Sequence, residues 1–285
     1  MIRIKRLSLL IAVLLVFNTS KAQISLKGNV VNERGETVEY VSIGFEADSI
    51  GTISDAEGNF VLTFPANRRQ DLLFSHVSYQ LERIPYAVYA QCEDSLTIVL
   101  KDKVVGLEEV VIDKNNQLKT IVGKGLTIPG LVGMSGKGRP DSNEWGVAFQ
   151  CQHDCRISDI LLLVAGCEYS KCLLRMNLYE VHDGKFENIL NKPLYHEVSK
   201  TDGKRMLDFV PEEAILLKRQ KKYFVSVSGV DTYGESGAVY FQAQIRISYA
   251  RFLPQGTKKK LPAGPVIVVK GYEVSREKSE SLPTE

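Results

Sequence analysis

The sequence is poor in the side chains that commonly carry catalysis. It holds four histidines and one tryptophan in 285 residues, and His76, His153, His182 and His196 form no His-Glu-x-x-His pair. A zinc peptidase of that class needs two histidines and a glutamate on one helical face, so the pattern argues against one. No Gly-x-Ser-x-Gly occurs, which removes the commonest hydrolase elbow. The GKG and GMSGKG pieces fail as a phosphate loop, because Leu131 stands where the first glycine should be and Gly138 where the hydroxyl should be. No stretch has the period of a long amphipathic helix. Long apolar runs are also lacking: Leu7 to Phe17 is well short of the ~20 residues that cross a bilayer as a helix.

That short run follows Arg3, Lys5 and Arg6 and precedes Ser20-Lys21-Ala22, so residues 1–22 read as a secretory signal peptide. Cleavage would remove four of the 36 basic residues and none of the 34 acidic ones, turning the net charge from +2 to about −2. A basic surface for nucleic acid is therefore not expected. No cysteine near the cleavage point marks a lipoprotein, and no span is expected once the leader is gone.

What is present is period-two alternation in a chain longer than the ~100–150 residues of a usual domain. From Ile24 short strands alternate with turns, and Gly51 to Phe60, GTISDAEGNF, reads as a hairpin, two strands joined by a tight polar turn. Further strands are expected at Leu72 to Phe74, Tyr79 to Ile84 and Ser95 to Leu100, about seven in all. Oxygen donors in Asp55 to Asn59 suggest a calcium loop only superficially, because the spacing and distal glutamate are absent.

Gly28, the NERGE turn, Val41-Ser42-Ile43, Gly51-Thr52, Asp55, Gly58, Phe60, the FSHVSY stretch from Phe74 and the closing Leu107 to Val111 resemble the carboxypeptidase-regulatory-like domain. That family is a transthyretin-like sandwich found at the front of many exported and outer-membrane bacterial proteins. The resemblance covers roughly residues 24–112 and implies a structural or interaction module with no catalytic residues. Ser78 stands where the family usually has glycine. Leu107 to Ile112 also looks like the junction before the plug of TonB-dependent receptors, with a last strand or linker as the other reading. The 173 residues that follow are too few for a plug and a large barrel.

The expected organisation is an all-β chain with a leader at 1–22, a small seven-stranded sandwich at 23–112 and a glycine-rich linker or lead-in at 113–143. A second sandwich at 144–273 and a polar tail at 274–285 follow. Strands are expected at Trp145 to Phe149, Ile157 to Val164, Leu173 to Val181, Arg205 to Val210, Lys222 to Val230, Ala238 to Ala243 and Val266 to Val269. Their order, with LYEV and YFVSVSG, resembles a jelly-roll-like C-terminal domain that accompanies the regulatory-like module in some exported bacterial proteins.

Four of the five cysteines, Cys151, Cys155, Cys167 and Cys172, fall within 22 residues. With His153 they could in principle hold zinc. If the strand between them is straight, Cys155 and Cys167 lie up to roughly 40 Å apart. Two local disulfides, Cys151 with Cys155 and Cys167 with Cys172, fit an exported chain better. Cys92 is left over, as an idle thiol or an intermolecular bridge. Aromatic residues of the second domain, including Trp145, Tyr169, Tyr179, Tyr195, Tyr223, Tyr233 and Tyr240, could stack on sugars, although alternating strands bury most such rings. The basic clusters at 218–222 and 258–260 read as solvated turns, with contact to acidic lipid headgroups or polysaccharide as the other reading.

The expectation is an exported, non-catalytic binding or adaptor protein of the envelope, periplasmic or associated with the outer membrane, with no cofactor and with envelope proteins or a glycan, not nucleic acid, as partners. A carbohydrate-binding or carbohydrate-active protein using the second sandwich is the alternative.

Overall fold

The computed structural model describes residues 23–92, 95–103, 117–123, 125–137 and 142–274. The leader, the stretch Leu107 to Ile112 and the tail from 275 lie outside them.

The first domain is built from β1 (Gln23–Asn32), β2 (Ser42–Phe45), β3 (Gly51–Ile53), β4 (Asn59–Pro65), β5 (Leu72–Ser75), β6 (Glu82–Ile84), the one-turn helix α1 (Tyr86–Tyr89) and β7 (Leu96–Leu100). One sheet has the order β4-β1-β7 and the other β3-β2-β5-β6. The alternation is strict in β4, where Phe60, Leu62 and Phe64 point inward onto Phe45, Phe74 and Tyr89 at edge-to-face ring distances. Together with Val30, Ile43, Leu72 and Ile98 they form a core of the domain's own.

GTISDAEGNF is not a hairpin. β3 pairs with β2 and β4 with β1, so the turn carries the chain from one sheet to the other. Turn chemistry is local, whereas strand partners are chosen by burial of the flanking residues, and the sequence specified only the former. The turn is closed by Asp55, whose Oδ1 accepts the amides of Glu57 and Asn59 at 3.2 and 2.7 Å, with Gly58 at φ +79°.

The second domain is a single hydrogen-bonded array of thirteen described strands: β8 (Lys119–Val122), β9 (Leu126–Lys137), β10 (Asn143–Gln150), β11 (Cys155–Cys167), β12 (Cys172–His182), β13 (Lys185–Asn188), β14 (Leu194–Val198), β15 (Arg205–Phe209), β16 (Leu216–Leu217), β17 (Lys222–Asp231), β18 (Ser236–Phe252), β19 (Lys258–Pro265) and β20 (Ile267–Glu273). Its path runs β13-β12-β17-β10-β18-β11-β20-β8, with β14 on β12, β15 and β16 on β11, and β9 and β19 on β18. Register shifts along β11 and β18 let these two long strands serve several partners each. The apolar core gathers Ile160, Leu162, Leu174, Met176, Leu178, Val225, Val227 and Phe241.

The stretch 113–143, expected as a linker or lead-in, supplies β8 and the whole of β9. β9 contains Pro129 and several glycines and, among the described strands, pairs with β18 alone, as does β19 with Pro262 and Pro265. Edge positions tolerate residues that a central ladder rejects, so both strands lack the usual signature.

Candidate functional site at the domain seam

The two domains are joined by bonds of several kinds. Backbone pairs Ala47 N–H to Gln255 O (2.9 Å) and Thr257 N–H to Asp48 O (2.8 Å) stitch the β2–β3 loop to the segment after β18. Gly44 and Gly51 lie against that segment: a Cβ added to either would stand 2.9 Å from the Leu253 carbonyl oxygen, and one on Gly51 also 2.5 Å from Ser142 Oγ. The first residue of GTISDAEGNF is thus a docking point. Tyr40 and Ala47, both at the seam, hold positive φ of 51° and 54°, a conformation that costs about 1–3 kcal/mol and persists where surrounding contacts fix it.

Below these bonds lies Arg175, only 2% exposed. Its Nη1 donates to Tyr40 O (2.7 Å) and its Nη2 to Ser42 Oγ (2.9 Å), so a cation from β12 holds the entry to β2. Tyr40 donates to Asp231 Oδ2 at 3.2 Å, and the Tyr40 ring meets Tyr195 edge-on. Tyr40, Ile53 and Val230, with Leu173 and Tyr195, form a small apolar cluster that spans the joint. His76 is buried beside it; its Nδ1 accepts the Ser78 amide, and burial, with the Arg175 charge nearby, lowers its pKa to about 3.

A second buried network supports the segment that receives the first domain. Glu144 on β10 is fully buried, and its Oε1 pairs with Arg251 Nε at 2.6 Å and Nη2 at 2.5 Å. Its Oε2 accepts from Asn177 (3.0 Å), Tyr179 (3.0 Å) and Ser226 (2.8 Å). Arg251 lies over the Tyr179 and Phe186 rings and donates from Nη1 to Pro254 O at 2.7 Å. A buried ion pair, with the carboxylate hydrogen-bonded by three further side chains and the guanidinium donating from Nε and Nη1, thereby holds the Leu253 to Thr257 segment from below.

A cleft of about 400 Å³ opens between the domains, walled by Tyr79, Gln80 and Lys103 on one side and His182, Lys185 and Gln255 on the other. Lys103 Nζ crosses it to Asn188 O at 2.6 Å, and burial lowers the Lys103 pKa. Another cavity, about 480 Å³, lies beyond the β13–β14 loop, with Leu194, Phe209 and Ile215 in its wall and Lys192, Glu212 and Glu213 around it.

The cysteines lie elsewhere. Cys155 and Cys167 are the first and last residues of β11, as the spacing requires, so the four thiols do not meet at one point. Cys151 and Cys155 both donate to His153 O, at 2.9 and 3.3 Å. Hydrogen bonding between the two thiols makes Cys151 the more acidic and pushes Cys155 up. Cys167 and Cys172 flank the β11–β12 turn, and burial raises Cys172 to about 12. All five cysteines, Cys92 included, are free thiols in this structure. No group of three or more metal-ligating side chains stands together among the described residues.

Of the aromatic residues considered for stacking, Tyr169, Tyr179 and Tyr223 are core residues. Arg175, Glu144, Arg251 and Lys103 were not singled out from the sequence. The available signal was LLRMNLYEV, in which Arg175, Asn177 and Tyr179 share one face of an alternating strand. Alternation marks such a face as solvent-exposed, yet here it is buried against the first domain and the Glu144 carboxylate.

Residues 26–112 match the model of the CarboxypepD_reg-like domain. Over 113 residues, 40% of this chain, the sequence is 30% identical to the TonB-dependent receptor SusC of Bacteroides thetaiotaomicron, and the matched part is 10% of that receptor. The chain thus spans about a tenth of the length of this relative. Among solved structures, the cysteine protease and lectin-like domains of Cwp84, a surface layer associated protein of Clostridium difficile, align over 86% of this chain and 62% of that one, at 10% identity and a TM-score of 0.36. An infectious bursal disease virus structure, Gt strain, aligns over 93% and 83%, at 10% identity and a TM-score of 0.28. Scores this low carry no argument about fold or function. Residues 26–112 are a CarboxypepD_reg-like domain, docked on a larger β domain that the family match does not cover.

Proposed function

We propose that the protein is an exported, non-catalytic binding or adaptor protein of the bacterial envelope, in which the CarboxypepD_reg-like domain is held in fixed orientation on the second domain. The observation that carries this reading is the seam itself. Backbone pairing, close-packed glycines and a buried arginine join the domains, where a flexible tether would need none of them. Similarity of the first domain to part of a TonB-dependent receptor supports an envelope setting. No helix among the described residues is long and apolar enough to cross a membrane.

The test is fractionation of a bacterium expressing the tagged full-length chain, followed by crosslinking in intact cells. Recovery in the envelope, with one recurring crosslinked partner lost in a Gly51→Val variant, is the expected result. Recovery in the cytosol, or a hydrolytic activity in the purified protein, would overturn the reading. Glycan binding is the second reading, and the interdomain cleft, with a half-exposed tyrosine among amide and lysine side chains, is the observation that favours it.

A further inference from the structure

We infer that the cleft between the two domains is a binding site for a short acidic saccharide. The inference rests on the binding-protein reading above and adds the class of ligand and its place.

The volume of about 400 Å³ is that of a small-ligand site and accommodates one or two sugar rings. Its charge favours an anion. Among the described residues, Lys103 and Lys185 line the cleft against one carboxylate, that of Glu187, which leaves one positive charge in excess, and the imidazole of His182 adds a further donor. Lys103 spends one ammonium proton on Asn188 O, and two remain. Held in a half-closed space, that ammonium gains more from an anionic oxygen than it would in open water.

The neutral part of the lining suits hydroxyl groups. Gln80 Nε2 donates to Asp102 O at 3.1 Å and Gln255 Nε2 to Phe186 O at 2.8 Å. Each amide is thereby oriented, and neither amide oxygen has a partner among the described residues. Tyr79 supplies a half-exposed ring braced by His76 at 5.3 Å, a surface on which the C–H face of a pyranose can lie.

A peptide is disfavoured by the edge of β13, which borders the cleft. An extended peptide adds to a sheet through free carbonyls along an edge. Here Phe186 O is taken by Gln255 and Asn188 O by Lys103. With that edge capped, recognition falls to side chains, which match the dispersed donors and acceptors of a sugar acid better than a peptide backbone.

The experiment is isothermal titration of the full chain, leader removed, with trigalacturonate, with the neutral cellotriose and with triglutamate. Trigalacturonate is expected to bind, and Lys185→Ala, an exposed change, to weaken it roughly tenfold, as loss of one charge-assisted contact does. Tyr79→Leu, which keeps the bulk and removes the ring, is expected to weaken it comparably. Added salt should reduce the affinity of the wild type more than that of Lys185→Ala. Binding that ignores both substitutions, equal binding of cellotriose, or preference for triglutamate would overturn the assignment, as would no heat with trigalacturonate at millimolar concentration. If that happens while the envelope crosslink persists, the cleft assignment fails alone; loss of envelope location removes the broader reading.

Discussion

Replacing Glu144 by glutamine tests whether the buried carboxylate organises the second domain. The wild-type side chain accepts from Arg251 on one oxygen and from Asn177, Tyr179 and Ser226 on the other. An amide of the same shape cannot do both. With its oxygen toward the three neutral donors, its NH2 faces the guanidinium; turned over, the NH2 faces the three donors. Arg251 is 1% exposed, so either choice leaves a buried cation without its counter-charge, a loss of about 3–5 kcal/mol. Since 1 kcal/mol shifts the melting temperature of a domain this size by about 2–4 °C, the expected fall is on the order of 10 °C. The assay is urea denaturation and a thermal scan of the purified chain. Limited proteolysis should show earlier cutting after β18, because Arg251 also holds Pro254 O. Glu144→Leu combined with Arg251→Met should regain part of the loss, since no charge is then left buried. A loss below about 1 kcal/mol for Glu144→Gln would refute the reasoning.

Three further outcomes are expected. At the seam, Gly51→Val should force the Leu253 segment away and expose the β2–β3 loop to protease, while Gly166→Val, at a glycine with open space around its Cα and no positive φ, should leave the seam closed; equal protease resistance of Gly51→Val and wild type would sink the docking role. For His76, the folded pKa of about 3 lies below the ordinary 6.5, so its contribution is complete above pH 6.5 and is lost as pH falls toward 3, at up to about 1.4 kcal/mol per pH unit. His76→Gln should flatten the stability profile between pH 6 and 4, and an unchanged slope would count against the burial argument. Oxidised protein should show Cys151–Cys155 and Cys167–Cys172 disulfides by peptide mass spectrometry, each worth about 2 kcal/mol for so short a loop; four free thiols or stoichiometric zinc would exclude this pairing.

Much of the architecture follows from local pattern. Period-two alternation, turn residues such as Asp55 and Gly58, and the absence of helical period fix an all-β chain, and Phe60, Leu62 and Phe64 mark an inward face before any partner is known. The spacing of Cys155 and Cys167 separates the two thiol pairs, because a strand has a fixed rise per residue. Pairing is different, since it depends on which distant surface covers each strand. The turn at Asp55 was legible, but not that it crosses between sheets; β9 and β19 were hidden because edge strands accept proline and glycine. The polar face of β12 illustrates the limit most plainly. Arg175, Asn177 and Tyr179 carry the pattern of a solvated surface, and only tertiary structure supplies the Tyr40 carbonyl, the Ser42 hydroxyl and the Glu144 carboxylate that permit their burial. Sequence determined where the strands and turns form, because those preferences are local; the seam and its cleft were decided by long-range packing, which makes a polar residue buried or exposed according to the partner it meets.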